Sequence, residues 1–269
     1  MNLLILSENV RADDSSYVVS DHRARHIIEI LKLGVGSNLR AGLLNGPQGV
    51  ARIISIANNT VALDFLESTE SVDLGSVDII CAVPRPKSLR KVLYICAMMN
   101  VRRLTLTRAS RVDKSYLQSP LLTPAGYLPI LLDGLAQGGR TRLPEISLQP
   151  LLRPYVEDAL TEVVRVNPDA TYLIAHNDDA SNLSDFHIEL TSPVTVAIGP
   201  EGGWTPFEVD LFLNAGFQKF TLGPWTLRVE AAVTAALAQV ELRRQVQTVD
   251  TSVEQIRPIC ASPIPPIRV

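Results

Sequence analysis

The chain has 269 residues, 46% hydrophobic and 20% charged, with a formal net charge of −3. This is the balance of a globular protein with one large or two smaller domains, and no apolar run approaches the roughly 18 residues of a membrane helix. Cys81, Cys96 and Cys260 are widely spaced and form no CxxC pair, which excludes a disulfide framework or a zinc site and points to a reducing cytoplasm.

The opening MNLLILSENV has no basic leader and too short an apolar run for a signal peptide, so no targeting segment is expected. A short strand is predicted around Leu3 to Leu6. A helix follows over SDHRARHIIEILKLG, with Ser20 as N-cap and Gly34 just past its end. Three strand-like runs come next, NLRAGLL, GVARIISI and TVALDFL, joined by the hairpin connections NGPQG and ANN. Together they predict a small β-barrel or meander with one helix. The polar stretch ESTESVDLGS, residues 67–76, reads as a domain boundary.

From Val77 strands and helices alternate. VDIICAV, RRLTLT, EISLQ, TYLIAH and VTVAIG are predicted strands; KSLRKVLYICAMMN, TPAGYLPILLDGLAQ (with a kink at Pro129) and PYVEDALTEVV are predicted helices. Such alternation implies a mostly parallel sheet covered by helices. From Gln247 the chain loses periodicity, and a disordered or loosely docked tail is expected.

Charge is distributed unevenly along this second part. Between Pro84 and Lys114 nine basic residues face a single acid, Asp113, whereas Tyr155 to Leu190 carries eight acids against Arg165. A local basic surface binds phosphates whatever the total charge, although a solvated helix face has the same composition.

Two Gly-Pro turns close the reading. In IGPEGGWTPFEVDLF a strand stops at Gly199-Pro200 and a helix begins at Pro206, with Thr205 and Glu208 forming a capping box and Gly216 ending the helix. The turn lies where open α/β sheets bind ligands. No Walker lysine or GxGxxG is present and Glu201 would repel a phosphate, so a neutral or cationic ligand is expected. The second turn, Leu222-Gly223-Pro224, leads through an irregular loop to a helix from about Glu230.

IGPEGG followed by LGPWTLRVEAA resembles the paired signature of the RsmE family of ribosomal RNA methyltransferases. RARHIIEILKLGVGSNLR is similar to the helix and Gly turn of that family's PUA-like RNA-binding domain, and AQGGRTRLPEI to its Gln-x-x-Arg segment. The resemblance implies a PUA-like domain over residues 1–70, a SPOUT-type α/β domain with a trefoil knot over 77–245, and a tail over 246–269. It implies transfer of a methyl group from S-adenosylmethionine to N3 of a uridine in 16S rRNA, in the cytoplasm, on the small ribosomal subunit and as a homodimer.

On this resemblance the cofactor is expected against Leu173, Ile174, Ala175, His176, Ile198, Gly199, Pro200, Glu201, Gly202, Gly203, Leu222, Gly223, Pro224, Trp225, Leu227 and Ala232. Arg228 is the expected catalytic cation, with a salt bridge to Glu230 or Glu201 as its alternative role; Glu230 is either a proton acceptor or a cap of the last helix. RNA contacts are expected from Arg23, Arg25, Lys32, Arg40, Arg90, Arg102, Arg103, Gln137 and Arg140, the last two near the site or on the partner chain. His22 and His26 share a helix face without a further ligand near in sequence, so RNA contact or a polar face is preferred to a metal pair.

The chain departs from the family where Trp225 replaces an arginine and where Val229 and Ala231 replace threonines beside Glu230. An RNA-binding paralogue without catalysis is therefore one alternative. A nucleotide-dependent α/β enzyme is another, and it leaves the basic segment unexplained.

Overall fold

The computed structural model describes residues 2–13, 16–68 and 75–256, with side chains up to residue 246. Short alternating strands build the first sheet: β1 (Leu4–Leu6), β2 (Ser16–Val19), β3 (Asn38–Leu43), β4 (Gln48–Ala57) and β5 (Thr60–Glu67). Their order is β1-β3-β4-β5-β2, antiparallel except for the β1–β3 pair, with an irregularity in β4 between Ile53 and Ser55. Leu4, Leu6, Tyr17, Val19, Ala51, Ile53, Val61 and Leu63 turn inward around Ala24 and Ile27 of the helical segment. That segment is α1 (His22–Arg25) followed by a π-helical turn, His26–Ile30. Its N-cap is Asp21, not Ser20: the Asp21 carboxylate accepts from the Arg23 backbone N–H at 2.9 Å. A carboxylate so placed also favours the positive end of the helix. The strand β2 was not expected from the sequence.

The second sheet is parallel throughout. Its strands are β6 (Val77–Ala82), β7 (Arg103–Thr107), β8 (Glu145–Gln149), β9 (Thr171–Ala175), β10 (Ser181–Asn182), β11 (Val194–Ile198) and β12 (Gln218–Thr221). They lie in the order β10-β12-β9-β11-β6-β7-β8. β6 and β11 are buried along their whole length, as continuous apolar runs covered on both faces should be. The covering helices are α2 (Pro86–Met98), α3 (Pro124–Gly138), α4 (Leu152–Pro154), α5 (Thr161–Val166), α6 (Pro206–Asn214) and α7 (Val229–Ile256). A π-helical turn, Tyr155–Leu160, joins α4 to α5. α7 continues through Ile256, so residues 246–256 are helical and not the expected tail; residues 257–269 lie outside the described range.

The two sheets are clipped together at residues 136–143. The Asn2 and Leu3 backbone N–H groups donate to the Ala136 carbonyl, Asn45 N–H to the Thr141 carbonyl, and the Gln48 side chain to the Gly139 carbonyl at 2.8 Å. The other face of β1, through Leu3 and Ile5, joins the large core of the second sheet.

Close packing of α2 on α3 depends on two glycines. A Cβ at Gly134 would stand 2.5 Å from the Tyr94 carbonyl oxygen, and one at Gly138 would stand 2.2 Å from the Met98 carbonyl oxygen. Alanine is the better helix former by about 1 kcal/mol, yet overpacking costs about 1–3 kcal/mol. Gly134→Ala should therefore lower the denaturant midpoint of unfolding. A midpoint at or above that of the parent chain would show that the two helices separate without cost.

Candidate functional site

Because every strand of the second sheet points the same way, the C-terminal ends of β9, β11 and β12 come to one edge. A cleft of about 420 Å³ opens there. Of the residues named for the cofactor, Ala175, His176, Ile198, Gly199, Pro200, Glu201, Gly202, Gly203, Leu222, Trp225, Leu227 and Ala232 line this cleft. Leu173 and Ile174 are fully buried within β9, and Gly223 and Pro224 belong to the loop that carries Trp225. Arg111, Asn177, Asp178, Trp204, Thr226 and Val229 also line the cleft. Most of these are chain neighbours of expected residues. Arg111 comes from the loop after β7, and nothing in local sequence beyond the basic run points to it.

The carboxylate of the first Gly-Pro turn has a partner. Glu201 accepts from the Arg85 backbone N–H at 3.1 Å and from its Nε at 3.2 Å, which ties the turn to the loop after β6. Arg111 donates to the Gly202 carbonyl at 2.5 Å and so fixes the same turn from the other side. The helix start behind it is the expected capping box: Thr205 accepts from the Glu208 N–H, and Glu208 accepts from the Thr205 N–H at 2.8 Å. Glu208 is buried and also accepts from the Ser110 N–H at 2.7 Å, so one carboxylate joins α6 to the loop of Arg111.

Trp204 forms part of the cleft wall. Its indole packs on Phe212, with ring centroids 5.2 Å apart, and a Cβ at Gly199 would stand 3.2 Å from it. The buried Nε1 has no hydrogen-bond partner among the described residues. An orphaned donor in a concave wall is a place for a ligand acceptor. His176 is already engaged, its backbone donating to the Phe220 carbonyl and its Nδ1 accepting from the Asp178 N–H at 3.1 Å. Of the two acids in the lining Glu201 is paired with Arg85, and Arg111 adds a cation, so the cleft carries no excess of negative charge and Asp178 is its one carboxylate without a basic partner among the described ion pairs.

Arg228 is exposed beside the cleft and makes no ion pair among the described residues. The two acids considered for it are held elsewhere, Glu201 by Arg85 and Glu230 by Lys91 at 3.0 Å. Burial raises the Glu230 carboxyl. Its own backbone N–H, Lys91 (Nζ 3.0 Å from Oε1) and Ser88 outweigh that effect and hold it at about 2, while Oε2 is buried without a hydrogen-bond partner among the described residues. Lys91 and Ser88 belong to α2, so the carboxylate ties the start of α7 to that helix, and a carboxylate so stabilised is a weak proton acceptor.

The expected RNA contacts do not form one surface. Arg90 is exposed on α2, which starts beside the cleft. Arg102 and Arg103 stand at the opposite, N-terminal end of the sheet, Arg102 bidentate on Asp78 at 2.8 and 2.7 Å and Arg103 on Glu145 at 3.0 Å. Gln137 and Arg140 lie at the seam between the sheets, also away from the cleft. Arg23 is held by Asp21 and by the Ile5 carbonyl at 2.6 Å. Arg25, Lys32 and Arg40 are exposed on the N-terminal part.

The family model of the RNA methyltransferase domain matches residues 71–241. The chain is 33% identical over 224 residues to the ribosomal RNA small subunit methyltransferase E of Treponema pallidum, covering 82% of each chain. It is 26% identical to the ribosomal RNA small subunit methyltransferase E 1 of Borreliella burgdorferi, covering 88% of this chain and 95% of that one. The crystal structure of a ribosomal RNA small subunit methyltransferase E from Neisseria gonorrhoeae, bound to S-adenosyl methionine, has the same fold. Its TM-score is 0.69 at 22% identity, covering 93% of this chain and 98% of that one.

The state of Glu230 has a measurable consequence. Its folded value of about 2 is below the ordinary glutamate value of 4.5, so its contribution to stability is present above about pH 4.5 and lost as pH falls toward 2. The stability difference between the parent chain and Glu230→Gln should be larger at pH 6 than at pH 3.5 in chemical denaturation. A difference independent of pH would mean that the carboxylate is not stabilised by these contacts.

Proposed function

Since the chain belongs to the RNA methyltransferase family, in the group of the ribosomal RNA small subunit methyltransferase E proteins, we propose that it methylates N3 of a uridine in 16S rRNA with S-adenosylmethionine. The observation that carries this reading is the cleft where the β9, β11 and β12 loops meet, with the unpartnered Trp204 Nε1 in its wall. Residues 199–204 and 222–224, with Ala175, His176, Leu227, Val229 and Ala232, would hold the cofactor, and the exposed Trp225 at the rim is left out of that set. When bound, S-adenosylmethionine supplies an electrophilic methyl group on a sulfonium.

The protein's part is alignment and electrostatics. Asp178 favours a positive ligand in the cleft. Arg228 would hold a uracil carbonyl as the N3 proton leaves and the ring becomes anionic, an interaction stronger in the transition state than in the ground state. Glu230 is assigned to anchoring the start of α7 on Lys91, and the proton acceptor is left to solvent or to the RNA.

Finer features belong to the same proposal. Residues 1–70 would form a PUA-like RNA-binding domain and 77–245 a SPOUT domain. α7 would pass through the loop between β9 and β11 as a trefoil knot; its Arg243 donates to the Phe186 carbonyl and its Arg244 to the Ser192 carbonyl, both in that loop. Leu242, exposed on α7, supports pairing of two chains through this helix. The substrate would be the small ribosomal subunit in the cytoplasm. Among the described residues no helix is long and apolar enough to cross a membrane.

The reading is tested by incubating the protein with unmodified small subunits and S-adenosylmethionine and analysing the rRNA nucleosides by mass spectrometry. Appearance of 3-methyluridine supports it. Val229, buried in the cleft wall where the family has threonine, favours one rival, a catalytically weakened RNA-binding paralogue. That rival gives RNA binding without the product.

Arg228→Ala should lower single-turnover methyl transfer by a factor on the order of a hundred or more, the usual size of losing one such donor, with cofactor affinity within a few-fold by calorimetry. Arg228→Lys should recover little, because an ammonium does not reproduce the planar fork. Normal transfer by the alanine variant, or joint loss of cofactor binding and fold, would remove the catalytic assignment.

A further inference from the structure

Trp225 is one of two tryptophans in the chain, and the two differ sharply. Trp204 is 5% exposed and packed in the core, whereas Trp225 is 66% exposed at the rim of the cleft. The Trp225 ring does not hang free. It folds back over Gly223, where a Cβ would stand 2.6 Å from Cζ3 and 2.8 Å from Cε3. Gly223 has φ +116°, a conformation that L side chains rarely adopt, so backbone and missing side chain together form the seat of the indole. An aromatic ring that is seated yet two-thirds exposed buries too little to count as core.

On the reading of the cleft given above, we infer that Trp225 is a stacking platform for a nucleobase of the RNA substrate. Single-stranded RNA is recognised by stacking unpaired bases on aromatic rings and by guanidinium groups beside them. Arg228, three residues further along the same loop, is likewise exposed. The enclosed floor, between Gly199 and Trp204 and against Leu222, Val229 and Ala232, is the place for the small molecule. Trp225 stands on the solvent side, from which a polymer must arrive.

The test uses the intrinsic fluorescence of the full chain, excited selectively at tryptophan, with Trp225→Phe and Trp225→Ala as comparisons. A short single-stranded, uridine-bearing RNA should quench the red, solvent-exposed emission of the parent chain by more than half, and Trp225→Phe should lack that component. With small subunits as methyl acceptor, Trp225→Ala should raise KM by about tenfold or more, the usual effect of losing one base stack. Turnover and cofactor affinity should stay within about twofold, and Trp225→Phe should restore most of the KM. Quenching by cofactor alone, with loss of cofactor affinity in Trp225→Ala, would overturn the platform in favour of the cofactor's adenine. RNA binding, followed by a method independent of fluorescence, with Trp225 unquenched would also overturn it and leave the methyltransferase reading intact. Absence of RNA binding by the parent chain would overturn both. Cofactor binding and RNA quenching without methyl transfer would support the platform and remove only the enzymatic reading.

Discussion

The site depends on strand direction. β9 sits between β11 and β12, and all three run parallel to β6, so the loops that leave them exit at the same edge. Antiparallel pairing at either position would send one loop to the far end of the sheet and leave two walls in place of three. The parallel arrangement demands crossovers, and α6, between β11 and β12, gives the capped N-terminus behind the first Gly-Pro turn; α7, after the last strand, gives Val229 and Ala232 to the wall.

Much of this was legible in the sequence because it is local. The central strands after Val77, β6, β9 and β11, are mostly apolar runs, the Thr205–Glu208 box is a four-residue pattern, and glycines mark both turns. β2 and β10 were not legible. β2 carries little alternation and is defined by its ladder to β5, and β10 has two residues that count as a strand only beside β12. The helix cap shifted from Ser20 to Asp21 because Asp21 answers to two groups at once, the Arg23 N–H and the Arg23 guanidinium.

The basic segment teaches a different lesson. Its density of positive charge reads as one phosphate-binding surface, yet the fold distributes it over both ends of the sheet and spends several members on internal contacts. Arg85 and Arg111 fasten the turn of residues 199–204, Lys91 fastens the start of α7, and Arg102 closes on Asp78. Sequence proximity counts charges; it does not say which are already neutralised. The partner acids are between 24 and 139 residues away along the chain, out of reach of any local pattern. For the same reason the carboxylate in the Gly-Pro turn was read as a ligand contact or as a partner of Arg228, whereas its partner is Arg85, 116 residues away, and the pair anchors the turn to the neighbouring loop.

The position of α7 sets an order on biogenesis. Every strand of both sheets precedes it, so a growing chain has already made all the residues of the sheets when the first turn of α7 emerges. Until then Val229 and Ala232 are missing from the wall, and Glu230 has not met Lys91. The contacts of Arg243 and Arg244 with residues 186 and 192 come later still. Core and cleft therefore close in the same step, since Val229 and Ala232 line the cleft while Val233, Ala236, Leu237 and Val240 of the same helix fill the core of the second sheet.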